Sequence, residues 1–306
     1  MTTKVVLLSG GVGGARLARG FEQISEVDLT VIVNVGDDDR FYGLDVSPDL
    51  DTMLYTLAGV EGGEGWGRQG DSLTVMEHLT ALGADTQFEI GDADLAVNLY
   101  RTERLRRGDS LAGVTDHLSS TLGINALILP TTNERVETKV KTDDGWLGFQ
   151  EYFVMRGHRD EVLDVKFDGA GTAEPCQGVI EAVRAADAVV IGPSNPPLSI
   201  WPILAVAKVS DAIAQARRVV AVSPLIGGRP IKGPADRVLL SLGFSPGNVG
   251  VLEAYDDLVD DLVIDTQDGH ERSRLTERGV SVHVGNTRIA EPESAATFAR
   301  WMLEFV

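Results

Sequence analysis

The residues Lys4-Val-Val-Leu-Leu8 form a short apolar run that stops in Ser9-Gly10-Gly11-Val12-Gly13-Gly14. A helical pattern follows at once, with Ala15, Leu17, Ala18 and Phe21 apolar, and then a second apolar run, Asp28-Leu-Thr-Val-Ile-Val-Asn34. Strand, glycine turn, helix and strand in that order open a βαβ unit. Its strands are apolar on successive residues, as strands buried on both faces are. This opening commits the first part of the chain to a parallel sheet covered by helices.

The remainder keeps that rhythm with one interruption. A long loop over 35–48 leads to a helical pattern over 51–58, and a Gly- and Trp-rich stretch, 61–70, reads as an irregular surface loop. Helices are predicted over 72–82, 93–107 and 111–122, and a strand over 124–129. A hairpin is predicted from 136–141 and 146–153 around Asp143-Asp144-Gly145. Then come a helix over 178–186, a strand over 188–191, a helix over 202–216 and a strand over 219–222. Further strands are predicted at 249–252, 262–264 and 281–284, with a closing helix over 292–303. The fold class is therefore α/β: a Rossmann-like, mostly parallel sheet flanked by helices. It is read as a single domain over 1–306, with a mixed helical and β-hairpin insertion over about 60–175.

Composition removes several function classes. The 306 residues include 27 Lys plus Arg against 46 Asp plus Glu, a net charge of −19. Such acidity argues against a nucleic-acid groove and against an anionic membrane surface. No apolar run approaches the ~18 residues of a membrane-spanning helix. The single Cys, Cys176, excludes a disulfide framework and a Cys-rich zinc site. With no secretory apolar region near the start, a cytoplasmic location is expected. The five His show no zinc spacing, and no Gly-x-Ser-x-Gly nucleophile elbow occurs.

In an open parallel sheet, ligands bind outside the carboxyl ends of strands. Four such ends carry unusual residues here. The turn Gly10, Gly11, Val12, Gly13, Gly14 can bring backbone amides to an anion at a helix N-terminus. It lacks the Gly-Lys-Ser/Thr of a Walker A loop, and Arg16 stands where a dinucleotide fingerprint has its third glycine. A phosphate or nucleotide is expected there with Arg16 as a charge partner; a bare strand-to-helix turn is the alternative.

Asn34-Val-Gly-Asp37-Asp38-Asp39 places three acids after a strand, and Ser47-Pro-Asp49-Leu-Asp51-Thr52 adds two at a helix start. Carboxylates with water and phosphate oxygens suit magnesium, which serves phosphoryl transfer. Equally, Asp49 or Asp51 could cap the helix, and Asp39 reads as a solvated loop charge. Gly192-Pro-Ser194-Asn195-Pro196 is a stiff turn whose amide could read a ring edge. The segment 223–236 brings Gly227, Arg229, Lys232 and Gly233 to a fourth strand end. Arg101, Arg104, Arg106 and Arg107 form the densest basic cluster, spread by a helix over more than one face. Asp256, Asp257, Asp260 and Asp261 read as a solvated helix face.

Together these segments resemble the 2-phospho-L-lactate transferase family of coenzyme F420 biosynthesis, in its bacterial branch. The resemblance runs in order along essentially the whole chain. It rests on Ser9 to Arg16, Val33 to Asp38, Ser47-Pro-Asp-Leu-Asp-Thr-Met-Leu-Tyr55, Gly91-Asp92 through Arg101-Thr102, Leu129-Pro130 and Phe149-Gln150. It continues through Gly192-Pro-Ser-Asn-Pro196, Ser223 to Gly227 and Gly233-Pro-Ala235. It implies attack by the terminal ribityl hydroxyl of 7,8-didemethyl-8-hydroxy-5-deazariboflavin (Fo) on a guanylylated three-carbon acid. GMP leaves, and magnesium is required.

By the same resemblance the glycine loop and Ser194, Asn195 and Pro196 would help bind the guanylyl donor, and Gly227, Lys232 and Gly233 lie in a matching segment. Asp51 matches the family's deazaflavin-site aspartate and could be base, hydrogen-bond anchor or metal ligand. Asp37 and Asp38 could hold magnesium or orient the attacking hydroxyl. The family's usual Gly-Asp-Arg-Asp and later Thr-His read here Gly91-Asp92-Ala93-Asp94 and Val97-Asn98. Arg101 or a later arginine is the candidate to replace the missing cation, and the donor could carry a lactyl, enolpyruvyl or glyceryl unit. A homodimer is a possible assembly on the same ground. A regulatory UDP-sugar-binding protein of the gluconeogenesis-factor type, with a related glycine-loop core, is the competing expectation. A nicotinamide-dependent oxidoreductase is disfavoured by Arg16 and by Asn34, which stands where an acid would be expected.

Overall fold

The computed structural model describes residues 2–63 and 65–306. Seven strands form its central sheet: β1 (Thr3–Ser9), β2 (Val27–Val33), β3 (Leu127–Pro130), β4 (Ala188–Ile191), β5 (Val219–Val222), β6 (Asp261–Asp265) and β7 (Ser281–Gly285). Their spatial order is β3-β2-β1-β4-β5-β6-β7. Every pairing is parallel, so the sheet is wholly rather than mostly parallel. Val5 of β1 lies between Leu29 of β2 and Ala188 of β4. The strand order reverses across this pair, and such a switch point opens a crevice at the carboxyl ends of the strands.

The strands are apolar on both faces because both are covered. Val5 to Leu8 of β1 and all of β4 and β5 are buried. Helix α1 (Gly11–Glu22) buries Ala15, Leu17, Ala18 and Phe21, worth about 1.5–3 kcal/mol for a side chain of the size of Leu or Phe. It crosses the last helix, Pro292–Met302, so closely that a side chain on Gly20 would strike the Ala295 carbonyl.

Between β2 and β4 the chain forms α2 (Pro48–Leu57), α3 (Thr74–Ala81), α4 (Asp92–Arg106) and α5 (Leu111–Thr121). A small antiparallel sheet follows from Glu137–Thr142, Gly145–Gly148 and Asp164–Asp168. The segment 60–175 thus supplies an edge strand of the main sheet, β3, as well as helices and a hairpin.

Four local expectations are corrected. The helix predicted over 202–216 is two short ones, Trp201–Ala205 and Val209–Ile213, broken where Lys208 takes φ 68°. The second hairpin arm stops at Gly148, and Glu151–Met155 is a π-turn. There Phe149 and Tyr152 turn into a separate core with Val140, Leu147, Val162, Leu198 and Val238. The run Val249 to Leu252 lies in a short helix, Asn248–Glu253; a brief run buried on all sides has no period that distinguishes strand from helix. The acidic run is not a helix face. Asp256–Leu258 is one 3-10 turn, and Asp261 begins β6 buried against Arg218 and His283. Among the described residues no helix is long and apolar enough to cross a membrane.

Candidate active site

Asn34, the first residue beyond β2, is fully buried and organises the acids around the switch point. Its Nδ2 donates to Asp37 Oδ1 and to Asp49 Oδ2, both at 2.9 Å. Its Oδ1 accepts the Gly36 N–H at 2.8 Å. Asp49, in the first turn of α2, reaches back across the crevice, and its Oδ1 accepts the Gly11 N–H at 2.7 Å. Asp49 therefore caps α1 rather than α2. The Gly11 amide, expected to face a phosphate, holds a carboxylate in this structure.

The other glycines join α1 to the turn after β4. The Gly10 N–H points at Ser194 Oγ at 3.4 Å, and that hydroxyl donates to the Gly10 carbonyl at 2.7 Å. A side chain on Gly13 would strike the Pro193 carbonyl, and one on Gly14 would strike Ser9 Oγ. Asn195 Oδ1 accepts from Leu198 N at 3.3 Å, while its Nδ2 is buried without a partner. Pro196 opens the π-turn Pro196–Ile200.

Asp38 stands beside this group. Ser47 Oγ donates to its Oδ2 at 2.7 Å, and its Oδ1 is buried with no hydrogen-bond partner. The loop is fixed from the small sheet as well: Gln150 Nε2 donates to the Asp37 carbonyl at 2.7 Å, and Thr138 N to the Gly36 carbonyl at 2.9 Å. Burial, and then the charge of Asp49, push Asp37 well above the ordinary carboxylate range, against the Asn34 hydrogen bond. Burial raises Asp38 likewise, against its Ser47 hydrogen bond and the Arg101 charge. Asp49 is pushed up by burial to about 6, with Asn34 and Gly11 opposing. Burial favours the neutral form of each of these acids, and a cation brought among them would restore the carboxylates.

Asp51 is differently placed. Both of its carboxylate oxygens accept from Arg101, Oδ2 from Nη1 at 3.0 Å and Oδ1 from Nη2. Arg101 is held in turn by Asn98 Oδ1 at 2.7 Å. Asn98 Nδ2 donates to the Asp94 carbonyl at 3.0 Å, and Asp94 Oδ1 accepts from Tyr55 Oη at 2.6 Å. Arg101 is thus the one arginine of its cluster that turns inward; Arg104, Arg106 and Arg107 stay at the surface.

These contacts bear on which residues could hold magnesium. Asp51 has both oxygens on Arg101, and Asp49 has its two on Gly11 and Asn34. The oxygens left open are on Asp37 and Asp38. Among the described residues no three His, Cys, Asp or Glu side chains are arranged to hold a metal ion by themselves. Magnesium ordinarily takes one or two carboxylates and completes its shell with water and substrate phosphates. The open oxygen of Asp37 fits that mode; the single open oxygen of Asp38 can serve either an ion or a hydroxyl, and the expected triad with Asp51 is not formed.

In the loop after β5, Gly227 donates its N–H to Asp268 Oδ2 at 2.9 Å, and Gly233 sits at φ 75°. In the same loop, Lys232 Nζ lies 4.7 Å from the centre of the Trp66 ring. Arg16 is partly buried beside Gly65, and its Nε has no hydrogen-bond partner. The organising parts played by Asn34, Asp49, Asn98 and Gln150 were not foreseen from the sequence. Asn34 carried the one available signal, a polar residue directly at a strand's carboxyl end.

The family model described as 2-phospho-L-lactate transferase CofD matches residues 5–297. A 2-phospho-L-lactate transferase of Methanopyrus kandleri is 40% identical over 311 residues, spanning 100% of this chain and 98% of that one. A phosphoenolpyruvate transferase of Streptomyces griseus is 38% identical, spanning 98% of each. A crystal structure of a UPF0052 family member from Bacillus halodurans covers 99% of each chain with a TM-score of 0.69. At 20% identity that is a likeness of fold. The fold and the full-length similarity lead to one conclusion: the chain belongs to the 2-phospho-L-lactate transferase family.

Proposed function

We propose that this protein transfers a phospho-three-carbon-acid unit from a guanosine diphosphate-linked donor to the terminal ribityl hydroxyl of Fo, releasing GMP. The unit is 2-phospholactyl, enolpyruvyl phosphate or phosphoglyceryl. Asp38 carries the reading: a carboxylate at the switch point with one buried, unpartnered oxygen, beside Asp37 and Asp49.

The hydroxyl oxygen attacks the phosphorus bearing the three-carbon acid. A new P–O bond forms as the P–O bond to GMP breaks, and the electron pair leaves with GMP. Such a displacement needs placement and charge neutralisation rather than a covalent enzyme intermediate. Asp38 Oδ1 accepts the hydrogen bond of the attacking hydroxyl and takes its proton, with Ser47 fixing the other oxygen. Asp37 would hold magnesium together with donor phosphate oxygens and water. When bound, the ion would neutralise the diphosphate. Asp51 holds Arg101 and acts by positioning.

Acceptor-dependent GMP release tests this. Asp38→Asn should lose turnover while magnesium binding, followed by calorimetry, persists. Asp37→Asn should lose magnesium affinity as well. Wild-type turnover in Asp38→Asn would overturn the assignment.

A further inference from the structure

Asn195 offers the base of the guanylyl donor an edge partner, but none of the residues above offers its ring a stacking face. Trp66 is 57% exposed. It follows Gly65, whose backbone rests on the start of α1. A Cβ on Gly65 would come to 2.5 Å from Val12 Cγ1 and 3.4 Å from Arg16 Nη2. From the loop after β5, Lys232 Nζ approaches the indole to 4.7 Å from the ring centre. The Gly65 backbone thus seats this loop against the helix that follows β1, and Lys232 ties the indole to the loop that follows β5. Arg16 is the independent sign of a ligand: in a chain of net charge −19, its Nε is enclosed with no hydrogen-bond partner.

We propose that Trp66 is the stacking platform for the guanine base of the donor, with Arg16 and Lys232 receiving the adjoining phosphates. This rests on the donor reading given under Proposed function. An indole face stacks on planar heterocycles, and cations beside it suit a ring that carries phosphate. The deazaflavin acceptor is also planar, but it arrives as an alcohol without phosphate. The two cations therefore select the nucleotide.

The test is calorimetric titration of GMP into the wild-type protein, Trp66→Ala and Trp66→Phe, with inorganic pyrophosphate as a second probe. Trp66→Ala should weaken GMP binding about tenfold, and Trp66→Phe should restore most of it. Pyrophosphate affinity should be the same in all three proteins. GMP binding unchanged in Trp66→Ala overturns the proposal alone. So does an equal loss for both probes, which would mean that Trp66 only shapes the loop. Loss of Fo binding in place of GMP binding would put the acceptor on the indole and also overturn it. Failure of the wild-type protein to bind GMP overturns it together with the donor reading.

Discussion

Arg101 grips Asp51 with two guanidinium nitrogens on two carboxylate oxygens, and their side chains are only 1% and 7% exposed. The pair crosses from α4 to α2, and Asn98 holds the arginine from the side at 2.7 Å. A buried pair of this kind need not stabilise the fold relative to apolar residues, but breaking it leaves one charge buried alone. Arg101→Met should therefore cost about 3–5 kcal/mol. The double variant Arg101→Met with Asp51→Leu should recover most of that in urea unfolding. The double variant should also retain more turnover than Asp38→Asn. Turnover as low as in Asp38→Asn, in a stably folded double variant, would return Asp51 to the chemistry.

Asp38 predicts opposite signs for stability and activity. Burial disfavours its charged form, so a neutral amide of the same shape relieves that cost. Asp38→Asn should melt at the wild-type temperature or above it. Its turnover should fall by about 10²–10⁴, the range lost with a general base. A lower melting temperature together with lost activity would make Asp38 a structural residue.

The glycine turn should be sensitive for reasons of packing as well as binding. Gly13→Ala would drive a methyl group into the Pro193 carbonyl. It should destabilise by about 1–3 kcal/mol, the usual cost of overpacking. Gly171→Ala, where the added atom meets nothing within 4 Å, is the control. Thermal melts of the two variants compare them directly; equal midpoints would show that the turn yields.

At the opposite end of β6, Asp261 links stability to pH. Burial alone would raise its pKa, but Arg218, at 2.8 Å to each oxygen, and His283, at 2.7 Å, outweigh that and hold it below the ordinary 3.8. A depressed folded-state pKa adds stability above the unfolded value, and that stability is lost as pH falls through the folded value. Asp261→Asn should be less stable than wild type at pH 7 by about 1–3 kcal/mol. The gap should shrink as pH falls from 3.8 downward. Urea unfolding at a series of pH values checks this; a gap constant with pH would contradict it.

Local pattern made much of the sheet legible. Strands β4 and β5 begin and end where the apolar runs Ala188 to Ile191 and Val219 to Val222 do, because the residues that bound them cannot continue a buried strand. What pattern could not supply is direction across the fold. Arg101 and Asp51 are 50 residues apart, and no period says which of four arginines turns inward. Asp49 sits at the start of α2 and reads as its cap, yet it bonds the first amide of α1. The acids at the strand ends could be named from the sequence. Which oxygens remain open could not, because that depends on Asn34, Ser47 and Arg101 arriving from separate elements.

The most direct test is a donor panel. Wild-type protein, magnesium and Fo are mixed in turn with the lactyl, enolpyruvyl and glyceryl guanosine diphosphate-linked donors, and products are identified by mass. The account predicts GMP and a phosphodiester-linked deazaflavin with at least one donor. Absence of that product with all three would contradict it.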